Sequence, residues 1–84
     1  MDRGPSEIEH RVLHAIHDLS AGMPTVDVTQ EAAARKAGLS PDSREVNEAM
    51  AALVDLGYVK GTSVLGQRVY RITANGIEEA TRPA

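Results

Sequence analysis

"ARKAGLSPDSREVNEAM", residues 34–50, decides how the rest of the chain is arranged. The Ala-rich run ahead of Gly38 favours helix, and Gly38 stops it. Ser40 then supplies a hydroxyl for the free amides of a new first turn. Pro41 follows at the one helical position where a missing N–H costs nothing. Val46, Ala49, Met50 and Leu53 recur at three- and four-residue spacing and define an apolar stripe, and Gly57 ends it. The stretch therefore predicts two helices about a tight turn, the second over residues 42–56.

Working outward, "QEAAARKAG" (30–38) is the first of these two helices, capped by Thr29. Before it, "TVDVT" (25–29) alternates β-branched and polar residues, as a very short strand with Val26 and Val28 facing inward does. Further upstream, Ser6 caps another helix with Glu7 and Glu9 in its first turn. Its stripe is Ile8, Val12, Ala15, Ile16 and Leu19, and it ends at "SAG" (20–22) ahead of Pro24. Downstream of Gly57 the apolar period changes from helical to alternating. "YVKGTSVLGQRVYRIT" (58–73) predicts a hairpin about Leu65-Gly66, with Arg68, Tyr70 and Ile72 on one face of its second arm. Thr73 caps a last short helix carrying Ile77 and Ala80.

The composition limits what such a chain can be. Its 84 residues suffice for one domain spanning 1–84, with an ordered core over about 6–81. Hydrophobic residues make up 42%, but there is no Phe or Trp and only Tyr58 and Tyr70, so the core must be aliphatic. The absence of Cys excludes disulfides, thiolate metal sites and a Cys nucleophile, and accords with a reducing cytoplasm. No apolar run approaches the roughly 18 residues of a membrane span, and the first ten residues hold no signal-peptide core. A cytoplasmic protein is expected. The formal net charge is −3, which argues mildly against a phosphate-rich partner. The charge is uneven, however: residues 58–73 carry Lys60, Arg68 and Arg71 and no acid.

The order helix, short strand, helix, helix, hairpin, helix resembles the winged helix-turn-helix family of bacterial and archaeal transcription regulators. The resemblance spans about residues 6–81 and rests on "AGLS" (37–40), "LVDLGYV" (53–59) and "YRITANGIEEA" (70–80) in that order. It implies an α+β winged helix: a three-helix bundle with a helix-turn-helix, a small antiparallel sheet with its wing, and a short C-terminal helix. It also implies double-stranded DNA as the partner, with helix 42–56 in the major groove and the 58–73 hairpin on the backbone or minor groove.

The residues can be tested for that task without the family. At about 100° per residue, placing Val46 at the buried centre turns Ser43, Arg44, Asn47 and Glu48 outward at the start of the helix. Arg can fork to guanine, Asn can pair with adenine, and Glu can accept from cytosine. Ser40 and the free amides of the first turn can hold a phosphate. Lys60, Thr62, Gln67, Arg68 and Arg71 of the hairpin, with Lys36 and Arg35 on the preceding helix, offer backbone contacts. Together they can neutralise roughly four to six phosphates, enough for salt-sensitive, micromolar binding by one domain. A homodimer would double that.

An alternative is a winged-helix module that binds another protein and no DNA. It draws on the apolar pair Val64-Leu65 at the hairpin tip, where a DNA-binding wing is usually polar, and on the net negative charge. His10, His14 and His17 lie at spacings of four and three on the first helix, opposite its apolar stripe. Neighbouring pairs have chelating spacing, but His10 and His17 sit roughly 10.5 Å apart along the axis, too far to share one ion. They read as a polar surface, with no metal or other cofactor expected. No catalytic constellation is legible, and no enzymatic activity is expected.

Overall fold

The computed structural model describes residues 6–82. Helix α1 (Glu7–Ser20) starts with two reciprocal hydrogen bonds. Ser6 Oγ accepts from the Glu9 amide at 3.3 Å, and Glu9 Oε1 accepts from the Ser6 amide at 3.0 Å. Such a capping box satisfies two amides that the helix itself leaves unpaired. Strand β1 (Val28–Thr29), α2 (Gln30–Lys36), α3 (Arg44–Asp55), β2 (Val59–Val64), β3 (Gln67–Ile72) and α4 (Ala74–Ala80) follow. The architecture is α+β, with four helices and one three-stranded antiparallel sheet among the described residues.

β3 is the central strand, flanked by β1 and β2. Val28 lies opposite Tyr70, and β2 runs along β3 from the Val59–Ile72 pair to the Val64–Gln67 pair. The period of two puts Val28, Val59, Tyr70 and Ile72 on the face that meets the helices. α1 is the hub, packed against α2, α3, α4 and β3. Its fully buried Val12, Leu13 and Ile16 join Val46, Met50 and Leu53 of α3 in one core. Each such side chain contributes roughly 1.5–3 kcal/mol through burial. Ala33 and Ala34 are fully buried too, and small side chains let α2 lie close to α1. Arg11 of α1 closes that contact, its Nη2 donating to the Ala37 carbonyl at 2.7 Å, at the electronegative end of α2.

Two contacts tie the hairpin and the last helix to α3. The Thr73 amide donates to the Tyr58 carbonyl at 3.0 Å. Thr73 Oγ1 donates to the Gly57 carbonyl at 2.6 Å and accepts from the Gly76 amide at 3.0 Å, capping α4. The hairpin itself turns on Leu65 (φ 52°) and Gly66 (φ 80°). A two-residue loop with both residues left-handed matches the twist of the strands; glycine adopts that conformation freely and leucine does so under strain.

The structure departs from the sequence expectations in several places. The second helix of the central stretch spans 44–55, not 42–56, and its cap is Ser43, not Ser40. Ser43 Oγ accepts from the Val46 amide at 3.2 Å. Ser40, Pro41, Asp42 and Ser43 instead form a turn closed by the Ser43 amide on the Ser40 carbonyl at 3.1 Å. Pro and Asp suit the middle of such a turn as well as they suit a helix start, and a second serine three residues on takes the capping role. β1 is confined to Val28–Thr29, with Val26 only half-buried. On α1, Leu19 is 41% exposed while Leu13 is fully buried, because α2, α3 and α4 surround the helix and widen its buried face beyond a single stripe. Val69, on the far face of β3, is buried as well, since that strand has a neighbour on each side. No helix among the described residues is long and apolar enough to cross a membrane.

Candidate functional site

The start of α2, the 40–43 turn, the start of α3 and the start of β3 border an open groove of 840 Å³, with Gln30, Ser40, Asn47, Gln67 and Arg68 in its lining. Arg68 reaches it because strand alternation turns Arg68 to the same sheet face as Tyr70 and Ile72, towards the helices. A neighbouring groove of 460 Å³ runs between α3 and β2, lined by Ala51, Asp55 and Thr62 among others, and Arg68 borders it too. Arg68 is exposed and has no carboxylate partner among the described residues. The first groove is not strongly basic, since Glu31 and Asp42 also line it, and its other cation, Arg35, is held 3.1 Å from Glu31.

A polar relay crosses the floor between these elements. The Tyr70 hydroxyl donates to Gln30 Oε1 at 3.2 Å. Gln30 Nε2 donates to the Pro41 carbonyl at 3.3 Å and to Asn47 Oδ1 at 2.8 Å. One side chain thus connects β3, α2, the turn and α3. Gln30 is absent from the residues singled out in the sequence. Its only local signature is a place directly after the Thr29 cap, where a glutamine is unremarkable; its role comes from the tertiary approach of Pro41, Asn47 and Tyr70.

The other expected site residues are dispersed. Ser43 adjoins the groove as the cap of α3, and Arg44 stands beside it with its side chain 88% exposed and its Nε 3.6 Å from Glu48 Oε2. An exposed pair four residues apart is worth only about 0.3–0.5 kcal/mol, so Arg44 can be released to another partner at little cost. Lys60 and Arg71 face each other across β2 and β3 on the opposite sheet face from Arg68. Arg71 is already engaged: its Nε donates to Asp27 Oδ1 at 2.6 Å. That hydrogen bond, and then the charge of Asp27, raise the guanidinium pKa above its usual value, so Arg71 stays charged and locally neutralised. Lys36 lies elsewhere again, in a groove between α1 and α2 with His10, Arg11 and His14. The structure therefore brings together Ser40, Asn47, Gln67 and Arg68, with Ser43 and Arg44 adjoining and Thr62 in the neighbouring groove. It does not bring Lys36, Lys60 or Arg71 to that surface.

The histidines of α1 serve another contact. His10 Nε2 lies 3.3 Å from Oε2 of Glu79, a residue only 8% exposed, and Arg82 Nη2 approaches the other carboxylate oxygen at 3.4 Å. The rings of His10 and His14 have centroids 5.8 Å apart. Among the described residues no group of three or more metal-ligating side chains is assembled. At the hairpin tip both apolar residues face solvent, Val64 at 43% and Leu65 at 99% exposure.

No protein-family model, no curated protein and no solved structure matches this chain.

Proposed function

We propose that this chain is a winged helix-turn-helix protein that binds double-stranded DNA and regulates transcription, with α2, the 40–43 turn and α3 as the helix-turn-helix and the β2–β3 hairpin as its wing. The observation that carries the proposal is the shared groove: the exposed start of α3, with Asn47, and the start of β3, with the uncompensated Arg68, border one open surface. An Asn amide and an Arg guanidinium are suited to base edges and phosphate respectively. The four helices, the three-stranded antiparallel sheet and the element order fit this architecture. In this mode α3 enters the major groove through Ser43, Arg44 and Asn47. Arg68 meets the adjacent backbone, and a homodimer extends the contact.

The test is titration of the protein against fluorescent mixed-sequence duplex at low and moderate salt, beside Arg44→Ala and Arg68→Ala. The proposal requires binding that weakens with salt and a loss of affinity in both variants. Absence of binding at low salt, or variants that bind as the unmodified chain does, would overturn it.

A second mode is favoured by one observation. Leu65, 99% exposed in a left-handed conformation, makes an apolar tip that water disfavours and a protein surface would bury. Under that mode the chain is a protein-binding module. Duplex titration separates the two, and a sizing column run at the same concentrations reads self-association directly.

A further inference from the structure

We infer that Gln30 is a specificity-determining positioning residue: it fixes which end of the Asn47 amide is offered to a base. This deepens the DNA-binding proposal and rests on it. The argument begins at an atom whose chemistry is unambiguous. The Pro41 carbonyl oxygen accepts hydrogen bonds and donates none, so the Gln30 atom 3.3 Å from it must be Nε2. Gln30 Oε1 is then the atom facing Tyr70, whose hydroxyl donates to it at 3.2 Å. The same Nε2 lies 2.8 Å from Asn47, so the Asn47 atom it meets must be the acceptor, Oδ1. Rotating either amide by half a turn would set two donors or two acceptors against each other. The orientation of Asn47 is thus dictated by the Pro41 carbonyl, through Gln30, and the Tyr70 hydroxyl, which can donate or accept, follows it.

The consequence lies on the other side of Asn47. Its Nδ2 is turned from Gln30, and no acceptor among the described residues takes its protons. Asn47 is exposed and lines the groove. It therefore presents a donor, which matches base edges that accept, namely guanine N7 and O6, adenine N7 or thymine O4. It is mismatched to cytosine N4, which only donates. Without Gln30 the amide rotates freely and offers either end.

Gln30→Glu separates this role from a merely structural one. An ionised carboxylate only accepts, so Glu at position 30 draws Asn47 Nδ2 towards itself and turns Oδ1 outward. The measurement is relative affinity for a panel of duplexes, each altered at one base pair of a site selected by the unmodified chain. Taking ratios within each variant removes any uniform loss caused by the added negative charge. The expected result is a preference of about tenfold for an accepting base edge at one position, reversed in Gln30→Glu towards a donating edge and unaltered at the other positions. Gln30→Met removes both polar atoms at similar volume and serves if the Glu variant does not fold. In it the preference at that one position falls to within about twofold. Thermal melting confirms that each variant tested is folded.

Folded Gln30→Glu or Gln30→Met protein that keeps the unmodified order of preference at every position overturns the role of Gln30 and leaves the DNA-binding proposal standing. Binding to duplex with no base preference at all does the same. Absence of duplex binding by the unmodified chain removes both.

Discussion

Gly76→Ala sets two physical effects against each other and is expected to destabilise the fold strongly. Gly76 sits in the first turn of α4, and by helix propensity alone alanine there should stabilise by about 1 kcal/mol. The surroundings oppose it. A Cβ at this position would overlap the Tyr58 carbonyl oxygen, well inside van der Waals contact, and lie 2.8 Å from Ile72 Cγ1. Neither neighbour can easily withdraw. The Tyr58 carbonyl accepts from the Thr73 amide at 3.0 Å, and Ile72 is only 1% exposed in the central strand. α4 must move instead, which strains the Thr73 cap and its 2.6 Å bond to the Gly57 carbonyl. Overpacking costs about 1–3 kcal/mol, and a lost cap about 1 kcal/mol more. After the propensity gain the net loss is about 1–3 kcal/mol. At roughly 4–8 °C per kcal/mol for a domain of this size, Tm falls by roughly 4–24 °C. Thermal melting followed by circular dichroism reads it. Gly57→Ala is the control: Gly57 has φ 80° with open space around it, so its variant bears only a left-handed backbone cost of roughly 1–2 kcal/mol. A Gly76→Ala protein melting at or above the unmodified chain would refute the close approach of α4 to residue 58.

Three further substitutions probe particular contacts. Ser43→Ala should cost about 1 kcal/mol and Ser40→Ala less than about 0.5 kcal/mol in thermal melts, since only Ser43 caps α3; equal losses would restore Ser40 as the cap. Leu65→Asn should raise stability by roughly 1 kcal/mol, because asparagine tolerates the left-handed turn that Leu65 occupies at φ 52°. An unchanged or lower Tm would mean the tip is held by contacts beyond its own turn. Asp27→Asn should leave Tm nearly unaltered, because the pair it removes is exposed to solvent. Because Arg71 lies on the opposite sheet face from Arg68, duplex binding should be nearly unaltered; clearly tighter binding would bring the Arg71 face into the DNA contact.

The elements were legible where local chemistry acts alone. Ser6 before an acidic first turn, Gly38 and Gly57 after apolar stripes, and alternation either side of Leu65-Gly66 each have one local outcome, and those boundaries appear in the structure. The start of α3 was not legible, because Ser40-Pro41 and Ser43 both make sound starts. The choice between them goes to the arrangement that also lets Pro41 present its carbonyl to Gln30. Leu13 and Leu19 show the same limit: Leu19 lies within the α1 stripe and is exposed, whereas Leu13 lies outside it and is fully buried, so burial is decided by which neighbours the helix acquires. For the candidate site, helical and strand geometry correctly turned Asn47 outward and put Arg68 on the face of Tyr70. The partners Gln30 and Asp27 are respectively 17 and 44 residues from the groups they engage, beyond the reach of any spacing rule.

The distribution of charge constrains how such a chain could hold DNA. Arg35, Arg44 and Arg71 each lie close to a carboxylate, at 3.1, 3.6 and 2.6 Å. Among the described residues, Lys36, Lys60 and Arg68 have no such carboxylate, but they stand on separate surfaces, and of the three only Arg68 borders the groove. Each neutralised phosphate contributes about 0.9 to the salt slope of binding. The roughly four to six phosphates suggested by counting cations in the sequence therefore fall to about one or two for a single chain, from Arg68 and a released Arg44. Non-specific attraction of that size is weak, so useful affinity would have to come from well-oriented polar contacts or from a second copy. In a groove with so little net positive charge, the orientation of one asparagine amide would, under that proposal, carry a larger share of discrimination than it would on a strongly basic surface. Under the DNA-binding proposal, this would give the part-buried tyrosine–glutamine relay a purpose that core stability alone does not require.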